Sequence, residues 1–360
     1  MEFEKTTPEC QLLARAALKR RPASGTLEIS PLCNLNCDMC YVRLTPAELA
    51  AQGRLRTVEE WLLLAEQMER AGVLFLLLTG GEPLLYPGFR QLYARLKRMG
   101  FILAVNTNGT MIDKDWADFF ATQKPRCVNI TLYGADGTAY ERLCHAPDGF
   151  DRTMRGIRLL RERGIDVRVG ASVTMENRAD VGKIAEIARE CGAALNVDPY
   201  MTPAVRERTR PFGEQARLAP EEAACVRVES MRRELGETRF RLCADAIVHA
   251  VKQDMLPKSE DMSCQAGRCS FAVNWQGQMR PCVMLEQPSV SVFDVGFEEA
   301  WCAVSRGVEA IRISPKCASC ALRPLCHTCA ASAYWETGDC GGVPEYLCRY
   351  AEETARLLEK

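Results

Sequence analysis

The feature that most restricts the fold is a repeated alternation of short apolar segments with amphipathic helical segments, from about residue 26 to residue 203. Six segments are rich in β-branched and aliphatic residues and carry few charges, as expected of strands buried on both faces of a sheet. The predicted strands are Thr26–Ser30, Phe75–Thr79, Leu103–Thr107, Cys127–Leu132, Val167–Val173 and Ala194–Pro199. Because crossovers between parallel strands are right-handed, we expect a parallel sheet that curls into a partial or full barrel.

The helices between these strands carry their own start and stop signals. Residues 57–60, Thr-Val-Glu-Glu, form a capping box, and Gly72 supplies the C-terminal stop of the helix that follows. Asp151–Arg163 and Arg178–Cys191 are predicted helices, each ending at a glycine before the next strand.

These patterns divide the chain into five predicted regions. Residues 1–25 form an N-terminal extension, 26–205 the barrel, 206–262 a helical connector, 263–350 a cysteine-rich domain, and 351–360 the end of a C-terminal helix. The predicted fold class is α/β, a partial (β/α)6 TIM-like barrel followed by a small cysteine-rich domain. A segment with as little core as 263–350 needs metals or other cross-links to fold.

Charge and hydropathy exclude several classes of protein. The 360 residues contain 46 basic and 47 acidic side chains, for a net charge of −1, so we expect no nucleic-acid partner. The most apolar stretch, Val73–Leu78, is far too short to span a bilayer, and the N-terminus does not resemble a signal peptide. We therefore expect a cytoplasmic protein without a membrane partner.

The chain has 19 cysteines, an odd number, and they are unevenly distributed. Three lie between positions 33 and 40, and ten lie between positions 264 and 348. In a reducing compartment, clustered cysteines are more often metal ligands than disulfides. Inert buried thiols are the alternative, and we expect Cys302 to be one of them.

The first cysteine group, Cys33, Cys37 and Cys40, has the spacing CxxxCxxC directly after the first predicted strand. Three thiolates on one loop suit three irons of a cubane iron–sulfur cluster and leave the fourth iron open to a small molecule. A zinc loop with a fourth ligand from elsewhere is the alternative. The position favours catalysis, because barrel enzymes place their chemistry at the C-terminal ends of the strands.

With this triad the sequence resembles the radical S-adenosylmethionine (SAM) superfamily. The resemblance implies that Cys33, Cys37 and Cys40 hold a 4Fe–4S cluster whose open iron binds SAM. It also implies reductive cleavage of SAM to a 5′-deoxyadenosyl radical that abstracts a substrate hydrogen. A flavodoxin- or ferredoxin-type protein is the implied electron donor.

Motifs at the strand ends extend the resemblance. They are Thr79-Gly80-Gly81-Glu82-Pro83 after the second strand, residues 106–109 (Asn-Thr-Asn-Gly) after the third, and residues 131–134 (Thr-Leu-Tyr-Gly) after the fourth. The resemblance assigns SAM contacts to Met39, Gly81, Glu82, Asn106, Thr131 and Arg142. Gly81 and Glu82 would hold the amino group. Met39 is equally well explained as a packing residue, and Arg142 as an ordinary surface arginine.

The C-terminal cysteines resemble the SPASM extension of radical SAM enzymes, which binds one or two auxiliary 4Fe–4S clusters. The resemblance groups Cys264, Cys282 and Cys329, with Cys269 as a fourth ligand, and separately groups Cys317, Cys320, Cys326 and Cys348. Cys340 competes for either fourth place. The gap between Cys326 and Cys329 is two residues where the family has three, which leaves the role of Cys329 open. A zinc ribbon is the alternative.

The reaction is less constrained than the cofactors. We expect a ribosomally made peptide or protein to be cross-linked or oxidised. The alternatives are a small-molecule dehydrogenase or decarboxylase and, more remotely, a non-catalytic zinc or redox-sensing protein. Val283 follows Cys282 where sulfatase-maturing relatives have a catalytic aspartate, which argues against that reaction. Only 32 residues precede Cys33, so any leader-binding partner is expected to be a separate protein. The sequence does not identify a catalytic acid or base.

Overall fold

The computed structural model describes residues 7–202, 204–205, 209–210, 216–253, 258–326 and 328–360. Positions 206–208, 211–215 and 254–257 of the predicted connector therefore lie outside the described residues. Among the helices of these ranges, none combines the length and the apolar character needed to cross a membrane.

Nine of the described strands form one sheet, in the order β11-β10-β9-β1-β2-β3-β4-β5-β6, and β7 and β8 form a separate two-stranded antiparallel sheet. Strands β1 to β6 are all parallel, and neighbours in sequence are neighbours in the sheet. The strands are β1 (Ser24–Ser30), β2 (Phe75–Gly80), β3 (Ile102–Thr107), β4 (Cys127–Thr131), β5 (Val167–Ser172), β6 (Ala194–Asp198), β7 (Ala204–Val205), β8 (Thr209–Arg210), β9 (Ser270–Val273), β10 (Gln278–Arg280) and β11 (Val290–Ser291). This open parallel sheet confirms the predicted partial barrel.

Helices connect these strands and cover the sheet. They are α1 (Pro8–Leu18), α2 (Pro46–Gln52), α3 (Val58–Ala71), α4 (Phe89–Arg98), α5 (Lys114–Thr122), α6 (Gly137–Cys144), α7 (Gly149–Glu162), α8 (Val181–Glu190), α9 (Pro220–Lys252), α10 (Val292–Val295), α11 (Phe297–Glu309), α12 (Pro315–Ala318), α13 (Ala330–Thr337) and α14 (Glu345–Leu358). The main core lies between the sheet and its outer helices.

The predicted capping signals act as expected. The Thr57 side chain accepts a hydrogen bond from the backbone of Glu60, and the Glu60 carboxylate accepts one from the backbone of Thr57. Gly72 ends α3 in the left-handed conformation, with φ of 89°. Both ends of α3 are therefore fixed by local sequence, which sets where the chain turns from the helix into β2.

The sheet continues beyond the predicted barrel into the cysteine-rich region. Strand β9 pairs in parallel with β1, with Ser24 opposite Ser270. The carbonyl of Cys269 accepts hydrogen bonds from the backbone N–H groups of Ala23 (2.8 Å) and Ser24 (3.1 Å). The C-terminal region is thus joined to the first barrel strand by backbone hydrogen bonds.

Helices α9 and α14 pack against each other and supply two smaller apolar clusters beside the main core. Helix α9 lies within the predicted connector, residues 206–262, and is kinked at Gly236, where φ is 71°. The N-terminal extension, for which no element was predicted, contains α1, which is capped by the Thr7 side chain and has Pro8 in its first turn.

Candidate functional site

The loop that carries the first three cysteines leaves the C-terminal end of β1. Its base is closed by a bridge between Leu32 and Leu44, and the Leu44 N–H donates to the Pro31 carbonyl at 3.0 Å. The loop backbone also caps two of its own thiols: Leu35 N–H lies 3.4 Å from Cys33 Sγ, and Arg43 N–H lies 3.4 Å from Cys40 Sγ. The loop is therefore a closed, internally bonded structure.

Two glycines allow the end of β2 to press against this loop. The Gly81 N–H donates to the Ser30 carbonyl, and the Glu82 N–H donates to the Leu32 carbonyl, both at 2.8 Å. A Cβ on Gly80 would lie 2.1 Å from Ser30 O, and a Cβ on Gly81 would lie 2.4 Å from Leu32 O. No side chain fits at either position without moving the backbone that leads into Cys33.

Glu82 connects the ends of β2 and β3. Its side chain is fully buried, and its carboxylate accepts hydrogen bonds from the Leu84 N–H (3.0 Å), the Thr107 hydroxyl (2.8 Å) and the Asn108 N–H (2.8 Å). Burial raises the pKa of this carboxyl to about 7, although the three hydrogen bonds oppose the rise. The carboxylate thus faces protein donors, and the predicted contact of Glu82 with the SAM ammonium stays a prediction.

Asn108, which the sequence analysis treated as part of a turn motif, bonds to the cluster loop. Its side-chain amide donates to Asn34 Oδ1 at 2.9 Å and lies 3.7 Å from Cys33 Sγ. The Asn34 amide in turn donates to the Thr110 hydroxyl at 2.8 Å. The end of β3 therefore orients the first cysteine, a role that the sequence signals only through the position of Asn108 beyond a strand.

The C-terminal end of α6 holds the other side of the loop. The Asn36 N–H donates to the Cys144 carbonyl (3.1 Å) and the Asp38 N–H to the Leu143 carbonyl (3.0 Å). His145 Nε2 lies 2.9 Å from the Asp38 carboxylate. The buried Cys37 thiol hydrogen-bonds with the Cys144 thiol, which together with burial raises the pKa of Cys37 well above its usual value.

The remaining predicted SAM residues are distributed around this rim. Met39 is buried in the main core, and the Asn106 side chain accepts a hydrogen bond from the Asn129 amide at 2.7 Å. Thr131 is the last residue of β4. The Arg142 side chain is half-exposed and pairs with the Glu176 carboxylate at 3.3 Å. This pairing favours the surface interpretation that the sequence left open for Arg142.

The donor set of the loop fits an iron–sulfur cubane. Burial raises the pKa of Cys33 to about 12 and that of Cys40 to about 11, so the thiols need a metal to become thiolates. Asn36 Oδ1, within the loop, is buried and accepts no hydrogen bond from the described residues. Within those residues, no three His, Cys, Asp or Glu side chains surround one metal position. A cubane cluster does not require three side chains around one metal position, because each thiolate binds a different iron.

The structure also brings the C-terminal cysteines into two groups. Burial raises the pKa of Cys264 and Cys282, and the nearby Cys329 raises both further. Burial also raises the pKa of Cys317, Cys326 and Cys348, and the charge of the neighbouring Cys320 adds to each rise. The resemblance predicted these two groups, with Cys269 as a further member of the first, and their ligation of clusters stays a prediction. The expectation for Cys302 was wrong: it lies on the exposed face of α11.

A buried ion pair beyond the end of β6 was not predicted from the sequence. Arg217 and Glu336 pair at 2.5 Å with side chains 8% and 10% exposed, and the Tyr200 hydroxyl donates to Glu336 at 2.9 Å. The Arg217 guanidinium also lies 3.4 Å from the centre of the Tyr346 ring. These contacts join the barrel to α13 and α14 near Cys329, whose charge also acts on Tyr200.

Comparisons with known proteins agree with this geometry. Residues 27–188 match the family model of the radical SAM superfamily. The chain is 23% identical to the AdoMet-dependent heme synthase of Methanosarcina barkeri, over 90% of this chain and 95% of that protein. It is 25% identical to the PqqA peptide cyclase of Granulibacter bethesdensis, over 88% and 85%. Streptococcus suis SuiB, solved with its precursor peptide SuiA, is 16% identical, with a TM-score of 0.68 over 96% of this chain and 80% of SuiB.

Proposed function

Because this chain belongs to the radical SAM superfamily and carries a C-terminal extension, we propose that it uses SAM-derived radical chemistry to modify a ribosomally made peptide. The observation that carries the proposal is the loop of Cys33, Cys37 and Cys40, held at the mouth of an open parallel barrel. The second cysteine region lies beside that barrel and shares its sheet.

The three thiols of the loop would hold a 4Fe–4S cluster, which when bound supplies the electron that cleaves SAM. The protein positions this centre from three sides: Gly80 and Gly81 bring β2 against it, Asn108 orients Cys33, and the end of α6 holds Asp38. Each contact involves backbone or a buried side chain, so the loop has little freedom to move. Such preorganisation is what a reactive centre requires.

The open side of the barrel suits an extended substrate. Strand β6 is the last strand of the sheet, and a groove of about 980 Å³ runs between it and α9. Apolar and charged side chains line the groove, among them Val197, Met231, Arg227 and Glu234. Peptides commonly bind by pairing with an exposed sheet edge. The similarity to PqqA peptide cyclase, and to SuiB solved with its precursor peptide, supports a peptide as the substrate.

A small-molecule reaction is the second candidate. The heme synthases match nearly the whole chain, at 90% to 97% coverage, and therefore include both cysteine regions. In that case the product would be a heme, and the reaction a dehydrogenation or decarboxylation of a porphyrin precursor.

One experiment separates the two candidates. Reconstituted enzyme is incubated anaerobically with SAM and reductant, in one arm with short peptides encoded beside its gene and in the other with iron porphyrins. The peptide proposal predicts a mass change in a peptide, and deuterium transfer from that labelled peptide into 5′-deoxyadenosine. Carbon dioxide release or dehydrogenation confined to the porphyrin arm would favour the second candidate instead. Cys33→Ala is the inactive control, and Cys302→Ala, at an exposed cysteine of α11, is the matched active control.

A further inference from the structure

The sheet ends at β6, which has a hydrogen-bonded neighbour on one side only. It pairs in parallel with β5, with Asp198 opposite Ser172, and the Val173 N–H donates to the Asp198 carbonyl at 2.9 Å. In a parallel strand, the backbone groups of one residue point to one neighbouring strand, and those of the next residue point to the opposite side. Because Asp198 points to β5, the N–H and C=O groups of Leu195 and Val197 point away from the sheet.

These outward backbone groups are open. Among the residues that the structure describes, none forms a hydrogen bond with the backbone N–H or C=O of Leu195 or Val197. The two residues are two positions apart, so their donors and acceptors repeat at roughly 6.6 Å, the rise of two residues in a strand. An unpaired strand edge of this kind is a template for another extended chain. A porphyrin macrocycle has no amide backbone with this repeat.

The groove beside this edge has room for a second chain. It encloses about 980 Å³, and its lining includes the whole of β6 and the facing side of α9. Its walls combine apolar side chains such as Met231 with charges of both signs, among them Arg189 and Glu234. Such a mixed lining suits the varied side chains of a peptide, while the open edge suits its backbone.

The two faces of β6 would direct the side chains of a docked strand. Leu195 and Val197 pack on the main core, between the sheet and its outer helices. Asn196 and Asp198 alternate with them and are exposed, so their side chains face the interior of the barrel. A strand added at this edge would share the alternation. Because β1 to β6 are parallel, the Asp198 end of β6 lies at the same edge of the sheet as the loop of Cys33.

We propose that the substrate peptide docks in extended form beside β6 and exchanges backbone hydrogen bonds with Leu195 and Val197. The inference rests on the proposed function, because it requires a peptide substrate. Every second side chain of the docked segment then faces the barrel interior, and the modified residue belongs to this set. The backbone hydrogen bonds supply affinity, and the alternate side chains supply specificity.

The first test uses wild-type holoenzyme and the peptide that gains mass in the experiment described above. Each amide of that peptide is N-methylated in turn, which removes one N–H donor, and the dissociation constant is measured anaerobically. The carbonyls of Leu195 and Val197 would accept from peptide N–H groups two residues apart. We therefore expect about tenfold weaker binding at two positions with that spacing, and a change of less than about threefold at the position between them.

The second test follows amide hydrogen exchange in the protein by mass spectrometry with residue-level fragmentation. The open N–H groups of Leu195 and Val197 should exchange about tenfold more slowly when the same peptide is bound. The Asn196 N–H points to β5 and is the matched control, so its exchange should change by less than about threefold.

Equal sensitivity to methylation at successive peptide amides would overturn the inference. Unchanged exchange at Leu195 and Val197 with the peptide bound would do the same, and both results would leave the peptide established as the substrate. If no peptide is modified, the proposed function fails and this inference fails with it, so the two failures are distinguishable.

Discussion

Gly81→Ala tests whether the contact between β2 and the cysteine loop positions the reactive centre. The new Cβ would lie 2.4 Å from Leu32 O and 2.8 Å from Pro31 O, whereas ordinary contact begins at 3.4 Å. The backbone must therefore separate by about 1 Å to accept a methyl group. Leu32 directly precedes Cys33, so the displacement is transmitted to the first cysteine.

The expected magnitudes follow from this displacement. Inserting a methyl group into a packed site costs about 1–3 kcal/mol of unfolding free energy. A misplacement of about 1 Å near reacting groups lowers a rate roughly 100-fold. Gly72→Ala is the matched control, because its φ of +89° imposes strain of roughly 1–2 kcal/mol while no atom lies within 4 Å of its Cβ. The two variants should be destabilised similarly but differ at the site.

Urea denaturation gives the stability of each variant, and anaerobic formation of 5′-deoxyadenosine gives the rate. We expect Gly81→Ala to remain folded and to lose about 100-fold in rate, while Gly72→Ala stays within a few-fold of the wild type. The reasoning is refuted if Gly81→Ala cleaves SAM at the wild-type rate, or if Gly72→Ala loses as much.

Three further variants test other parts of the account. Arg142→Ala should leave SAM affinity unchanged in equilibrium binding, because its guanidinium is occupied at the surface; a tenfold weaker affinity would restore the predicted SAM contact. Glu336→Gln should lower the free energy of unfolding by about 3–5 kcal/mol, because it leaves the buried Arg217 without its charge partner. Glu221→Gln, in an exposed ion pair, should lower it by less than about 1 kcal/mol. Equal losses in denaturant titrations would contradict this. In Glu82→Gln the side-chain amide N–H would face a protein hydrogen-bond donor, so the free energy of unfolding should fall by about 1–3 kcal/mol and iron retention should decrease. The exposed Glu59→Gln should change neither quantity. Full iron retention in Glu82→Gln would show that the carboxylate does not support the loop.

The barrel was predictable because its signals are local. Apolar runs bounded by glycines place the six parallel strands to within about two residues, as for Ala194–Asp198 against the predicted Ala194–Pro199. The pairing of β9 with β1 was not predictable, since it joins Ser24 to Ser270 and no periodicity records which distant strands become neighbours. Helix α1 was missed although Thr7-Pro8 is a recognisable start signal.

The sequence predicted which residues lie near the candidate site better than it predicted the directions in which their side chains point. The resemblance to the SPASM extension predicted two groups of C-terminal cysteines, and their ligation of clusters stays a prediction. The sequence did not reveal that the Glu82 carboxylate points into protein, because its partners Thr107 and Asn108 come from another strand end. The exposure of Cys302 was also missed, since the sequence alone did not show which face of α11 is buried.

The most direct test of the central claim is the formation of 5′-deoxyadenosine. Protein reconstituted anaerobically with iron and sulfide is mixed with SAM and a strong reductant, and the products are identified by mass spectrometry. We predict 5′-deoxyadenosine from the wild type and from Cys302→Ala, and none from Cys33→Ala. A protein that binds zinc at Cys33, Cys37 and Cys40 and never yields 5′-deoxyadenosine would contradict the account.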